Sequence, residues 1–248
     1  MEKQKLETCF SPALYTTDDH SESVVVVIDV LRASSAICAA FKNGAKSIIP
    51  VSDIDTAREY KSNGYLVAAE RDGFVLDFAD FGNSPFNFIP EKIKGRTIVY
   101  STTNGTGIIK TASGSHKVVI GTFNNISSVT EWLIRQEKPV LLFCAGWKNR
   151  FNLEDTICAG AFAEKLMESG RFSTICDSTK AALDLWKIAS ADLSGYIGKA
   201  AQRTRLRDKG LDDCIEYCLT ADNTMAVPVV TDGILVDNNS LQNKFDEI

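Results

Sequence analysis

The chain has 248 residues, is 44% hydrophobic and carries a formal net charge of −5. That is enough for one large domain or two small lobes. Its charges are spread along the whole length without a basic tract. This excludes an electrostatic nucleic-acid binder and leaves a small anionic ligand dependent on a local cation cluster or a metal.

The seven cysteines are scattered, none forms a CxxC pair, and there are only two histidines, His20 and His116. No zinc ligand set follows from this, and reduced, buried thiols are expected. The opening MEKQKLETCF has no signal-peptide character. The longest apolar runs, Val24–Ile28 and 140–145, are too short to span a bilayer. A cytoplasmic location without a membrane partner is the expectation, and homo-oligomerisation is left open.

Val24–Ile28 is a continuous β-branched run, as in a strand buried on both faces. A helix capped by Ser34 or Ser35 then runs to about Asn43, with Gly44 as its stop. Residues 47–51 form the next strand, 53–63 a helix and 65–69 a strand ending at Glu70-Arg71. Residues 72–95 read as a long loop, a length that usually carries a function. Strands at Thr97–Ser101, Lys117–Gly121 and Val140–Cys144 alternate with helices at 128–136 and 152–169. This order predicts an α/β fold with a mostly parallel sheet in α/β/α layers. The α/β core covers residues 1–170. Residues 171–248 read as a mainly helical portion, a cap or second lobe (helices at 177–191, 193–207 and 211–220), ending in a short hairpin at Asp232-Gly233.

In such sheets ligands bind beyond the carboxyl ends of the strands. Those ends carry Asp29 and Arg32, then Glu70 and Arg71, then Ser101, Thr102, Thr103, Asn104, Gly105 and Thr106, then Cys144, Lys148, Arg150, Glu154 and Asp155. The Ser101–Thr106 segment offers hydroxyls, an amide and a glycine for close approach to a phosphate, although a well-capped strand–turn–helix looks the same. Asp29 follows five apolar residues. A carboxylate there needs a metal, a phosphoryl-transfer role or an ion pair with Arg32. Glu70 and Asp155 are its candidate partners for a hard cation, and an acid in a first helical turn also has a dipole explanation. Arg32, Arg71, Lys148 and Arg150 could neutralise a polyanionic substrate, or serve as surface ion-pair partners. Cys144 and Arg150 have the C-x5-R spacing of cysteine phosphatases, but Phe151 replaces the usual Ser or Thr. Asn83 and Ser84, ahead of Pro85, could place an amide and a hydroxyl over the site, or simply form a turn.

Five segments in order resemble the 2-phosphosulfolactate phosphatase (ComB) family: Val27-Ile28-Asp29-Val30-Leu31-Arg32-Ala33-Ser34-Ser35, Glu70-Arg71-Asp72-Gly73, Gly82-Asn83-Ser84-Pro85, Ser101-Thr102-Thr103-Asn104-Gly105-Thr106, and Cys144-Ala145-Gly146-Trp147 with Glu154-Asp155-Thr156. The likeness spans residues 10–228, with Ala69 standing where a glycine is expected. It implies a Mg²⁺-dependent phosphatase that hydrolyses 2-phospho-3-sulfolactate, a phosphorylated, sulfonated organic acid, to 3-sulfolactate and phosphate in coenzyme M synthesis. Asp29, Glu70 and Asp155 would be its metal or catalytic carboxylates. The Ser101–Thr106 segment would bind phosphate, and the arginines would bind sulfonate and carboxylate. The nucleophile stays open among water, Asp29 and Cys144. Two alternatives are a metal-free cysteine phosphatase and a non-catalytic small-anion-binding protein.

Overall fold

A computed structural model of the chain describes residues 3–16, 20–102 and 105–239. Thr103 and Asn104 lie outside the described residues. The first part holds β1 (Gln4–Cys9), β2 (Val24–Ile28), α1 (Ala33–Lys42), β3 (Ser47–Pro50), α2 (Ile54–Ser62), β4 (Leu66–Arg71) and β5 (Phe74–Val75). It continues through α3 (Pro90–Ile93), β6 (Thr97–Ser101), α4 (Gly105–Thr111), β7 (Lys117–Gly121), α5 (Ile126–Gln136), β8 (Val140–Cys144) and α6 (Leu153–Glu168). The last part holds β9 (Phe172–Ser173), α7 (Asp177–Ala189), α8 (Leu193–Ile197), α9 (Ala201–Asp208), α10 (Ile215–Leu219), β10 (Pro228–Thr231) and β11 (Ile234–Asp237).

This is the expected α/β fold with a mostly parallel, mixed sheet. Among the described residues the strand order is β5-β4-β6-β3-β11-β10-β7-β2-β8-β1-β9. One parallel block is β4, β6 and β3, and the other is β7, β2, β8, β1 and β9. The terminal hairpin lies between them, with β11 antiparallel to β3 and β10 antiparallel to β7. The hairpin was expected, but its insertion into the middle of the sheet was not.

The uninterrupted β2 run has a simple cause. Val24, Val26 and Ile28 enter one apolar cluster with α5 and α6, while Val25 and Val27 enter another around α1. Period-two alternation thus feeds two cores from one strand. The α1 cluster draws residues from both parallel blocks, such as Ile48 and Ile98 from one and Ile120 and Phe143 from the other.

Three segments differ from the sequence reading. The 72–95 stretch is ordered against β4: Ala69 N–H donates to Phe81 O at 3.0 Å and Asp80 N–H to Val67 O at 2.8 Å. The 193–207 helix is two helices, α8 and α9, because Gly195 and Gly198 weaken its middle. β1 adds a strand beside β8 that the polar Gln4–Thr8 pattern did not signal. No helix among the described residues is long and apolar enough to cross a membrane.

Candidate active site

The loops that follow β2, β4, β6 and β8 border one cleft of about 550 Å³ of empty space, partly open to solvent. Helix α9 closes the remaining side. The lining includes Asp29, Arg32, Glu70, Asn83, Thr102 and Trp147. Of the residues singled out from sequence, Asp29, Arg32, Glu70, Asn83 and Thr102 therefore come together.

Asp29 leaves β2 directly. Its backbone N–H donates to Ser34 Oγ at 2.9 Å, and its Oδ1 accepts the Ala33 N–H at 3.4 Å. Burial pushes its pKa up to about 7; the Glu70 charge adds to the rise, while the Ala33 N–H and Arg32 oppose it. Two buried carboxylates therefore face each other's field across the cleft floor. Glu70 Oε2 accepts the Gly73 N–H at 2.5 Å, which ties the turn after β4 to the strand end. Arg32 is buried beside them at the start of α1. Thr102 Oγ1 is buried and has no hydrogen-bond partner among the described residues, although its own carbonyl accepts from Thr106 Oγ1 at 3.3 Å. Asn83 Oδ1 accepts the Tyr100 hydroxyl, which fixes its amide at the cleft wall.

Other predicted residues do different things. The guanidinium of Arg71 donates to Glu70 O, Ser101 O, Ser52 O and Ser101 Oγ, at 2.7 to 3.3 Å. It braces β4 against β6, and it accounts for Ser101. Ser84 Oγ accepts the Phe86 N–H at 3.4 Å and starts the turn that follows. Lys148 is exposed and pairs with Asp72 at 3.3 Å. Arg150 is exposed and closes a tight turn with Trp147 through two backbone hydrogen bonds, of 2.9 and 3.0 Å. Gly146 precedes that turn with φ +60°, and a Cβ there would sit 2.1 Å from Arg150 O, so the turn requires glycine.

The structure does not favour Cys144 as a nucleophile. It is fully buried, shares the apolar cluster with Leu142 and Cys158, and burial holds its thiol well above the usual range. A cysteine phosphatase needs an accessible thiolate.

Asp155 is fully buried and clamps two loops. Its Oδ1 accepts the Val30 N–H at 2.8 Å and its Oδ2 the Gly146 N–H at 3.1 Å. Burial, then the charges of Asp29 and Glu154, raise its pKa well above the carboxylate range. Glu154 beside it is equally buried, and neither of its oxygens accepts a hydrogen bond among the described residues.

Sequence reasoning missed the residues from α9 and the α6 start. Gln202, Arg205 and Lys209 line the cleft, as does Asn152 with a buried Oδ1 that has no partner among the described residues. Gln202 Nε2 donates to Leu31 O at 3.1 Å, and Lys209 Nζ donates to Asp72 O, so α9 is fastened at both ends of the cleft. Their recurrence on one helix face was visible, but a solvent-facing polar face looks identical.

Among the described residues no group of three or more His, Cys, Asp or Glu side chains is arranged to hold a metal ion. A hard cation such as Mg²⁺ needs less. One or two carboxylates suffice when water and substrate oxygens complete the shell. Asp29 and Glu70, buried in the same cleft with their like charges acting on each other, fit that minimal set.

The family model for 2-phosphosulpholactate phosphatase matches residues 9–233. The chain is 37% identical over 221 residues to a probable 2-phosphosulfolactate phosphatase of Caldanaerobacter subterraneus subsp. tengcongensis, covering 88% of this chain and 91% of that one. It is 36% identical over 211 residues to a protein of the same name from Thermotoga maritima, covering 85% and 90%. For one from Clostridium acetobutylicum the identity is 31% over 229 residues, covering 89% and 97%. The ordered motifs, the sheet that carries them and these matches over nearly the full length agree: the chain belongs to the 2-phosphosulfolactate phosphatase family, a family of phosphoric monoester hydrolases.

Proposed function

We propose that this chain is a Mg²⁺-dependent phosphatase that hydrolyses 2-phospho-3-sulfolactate, or a close phospho-2-hydroxy acid, to 3-sulfolactate and phosphate. The observation that carries this reading is the juxtaposition of buried Asp29 and Glu70 with Arg32 and the unpartnered Thr102 hydroxyl in one cleft. Two carboxylates alone would repel a phosphate. Asp29 and Glu70 would hold Mg²⁺, which when bound neutralises phosphoryl charge and polarises the phosphorus centre.

The chain's own groups do the rest. Thr102 Oγ1 donates to a phosphoryl oxygen, and Arg32 supplies the fixed positive charge that grows in value as charge shifts onto the leaving oxygen. Asn83, held by Tyr100, borders the same space. Water attacks phosphorus, the bond to the C2 oxygen breaks, and that oxygen leaves as the hydroxyl of sulfolactate after taking up a proton. A two-step route through an aspartyl phosphate on Asp29 uses the same groups and inserts one covalent intermediate. Asp155 keeps the loops after β2 and β8 in place. The seven free cysteines suit a reducing, cytoplasmic compartment. In an organism that makes coenzyme M, the 3-sulfolactate would enter that synthesis.

The test is phosphate release from 2-phosphosulfolactate by the metal-stripped enzyme, with and without added Mg²⁺. Release should require the metal and fall by roughly a thousandfold or more in Asp29→Asn. Full activity after exhaustive chelation would remove Mg²⁺ from the account. No release from any phospho-2-hydroxy acid would end the phosphatase reading in favour of an anion-binding protein.

A further inference from the structure

The α9 face that closes the cleft carries a cation that the phosphate end does not explain. Gln202, Arg205, Leu206 and Lys209 recur at i, i+3, i+4 and i+7, and all four border the cleft. Lys209 is engaged with Asp72 O and lies 5.2 Å from the Phe74 ring centre. Gln202 Nε2 is engaged with Leu31 O. Arg205 is held differently. Its guanidinium lies 4.9 Å from the Trp147 ring centre, and its Nε donates to Gln202 Oε1 at 2.8 Å. The ring fixes the guanidinium by cation–π contact and the amide fixes its direction. Neither contact uses the two Nη groups. Among the described residues no hydrogen bond joins them to a protein oxygen, and none links Arg205 to the buried Glu154 carboxylate nearby. An arginine with its plane set and its fork unengaged, on the wall of a cleft, is organised for an oxyanion.

The substrate proposed above offers one. Its carboxylate sits on the carbon that carries the phosphate, near the Arg32 end. Its sulfonate is one carbon further out and is a weakly hydrated, three-oxygen anion, which suits a weakly hydrated planar guanidinium better than an ammonium. We propose that Arg205 is the specificity-determining residue that binds the sulfonate, with Trp147 and Gln202 as positioning residues. The inference rests on the phosphatase reading and sharpens it: α9 reads what the strand-end loops do not.

The experiment compares kcat/KM for 2-phosphosulfolactate and for 2-phospholactate, which lacks the sulfonate, in wild type, R205A, R205K and Q202L. Arg205→Ala should lower kcat/KM for phosphosulfolactate about a hundredfold, chiefly through KM, and shrink its advantage over phospholactate by about tenfold or more. Arg205→Lys keeps charge and stem but not the fork, so it should recover only part of that selectivity, and it carries the test should R205A be unfolded by circular dichroism. Gln202→Leu should shift selectivity the same way by a smaller factor. Calorimetric binding of 3-sulfolactate should weaken in parallel. Equal losses on the two substrates would overturn the Arg205 assignment and leave the phosphatase standing. A wild type that acts on neither substrate would overturn the phosphatase reading, and the sulfonate assignment with it.

Discussion

Asp155 holds Val30: its Oδ1 accepts the Val30 backbone N–H at 2.8 Å, across 125 positions of sequence. With Oδ2 on the Gly146 N–H, one side chain at the start of α6 sets the loops that leave β2 and β8. Asp29 precedes one of these contacts and Trp147 follows the other, so the clamp fixes both sides of the cleft. Asp155→Ala removes the carboxylate acceptor from two buried N–H donors. It should cost about 2–4 kcal/mol of unfolding free energy and lower turnover as well. Urea denaturation measures the first effect. An unchanged midpoint would show that the loops hold without it.

Cys144 should prove dispensable for chemistry. Cys144→Ala should keep kcat within about threefold of wild type, since its thiol packs in the core away from the cleft. The lost sulfur should cost roughly 1 kcal/mol through the small cavity it leaves. Iodoacetamide at neutral pH should label it slowly in the folded enzyme. Collapse of turnover in a stably folded Cys144→Ala enzyme would restore the cysteine mechanism.

The metal fit has a readout independent of catalysis. Mg²⁺ that binds the folded chain raises its melting temperature in proportion to the logarithm of its concentration above Kd. That rise should disappear in Asp29→Asn and in Glu70→Gln. The latter variant keeps an oxygen to accept the Gly73 N–H, so a lost shift there reports on the cation and not on the turn. A shift of full size in both variants would place the cation elsewhere.

Gly160 allows α6 and α7 to touch. A Cβ at Gly160 would lie 2.1 Å from the Ala182 carbonyl oxygen and 2.8 Å from Trp186 Cβ. Gly160→Ala should therefore destabilise the fold by about 1–3 kcal/mol, by forcing the helices apart. Differential scanning calorimetry reads the loss, while KM should change little because the contact is remote from the cleft residues.

What the sequence made legible follows its local physics. The β2 run announced a strand buried on both faces, and the strand-end rule led directly to Asp29, Glu70 and Thr102. Cys144 could have been placed by parity, since Val140 and Leu142 share its face of β8. Glu154 and Asp155 could not be separated, because neighbouring helical residues differ by about 100° in direction and only the packed loops decide which one meets Val30. Arg205 was hidden for another reason. Its role depends on Trp147, brought near by a fold that no periodicity in α9 encodes. Arg71 looked like a ligand-binding cation, yet it donates to the carbonyl and hydroxyl of Ser101, which become its neighbours only when β4 and β6 pair.

The hairpin between β3 and β7 also bears on the order of events during synthesis. Every strand that contributes a loop to the cleft emerges from the ribosome before β10 and β11 do. Until then, β3 and β7 present unpaired inner edges, the kind of surface that recruits other chains. Closing the gap joins residues near the end of the chain to strands laid down much earlier, a long-range step that is slow on topological grounds. Until β10 and β11 arrive, the loops that line the cleft are made while the sheet that carries them is still divided between β3 and β7.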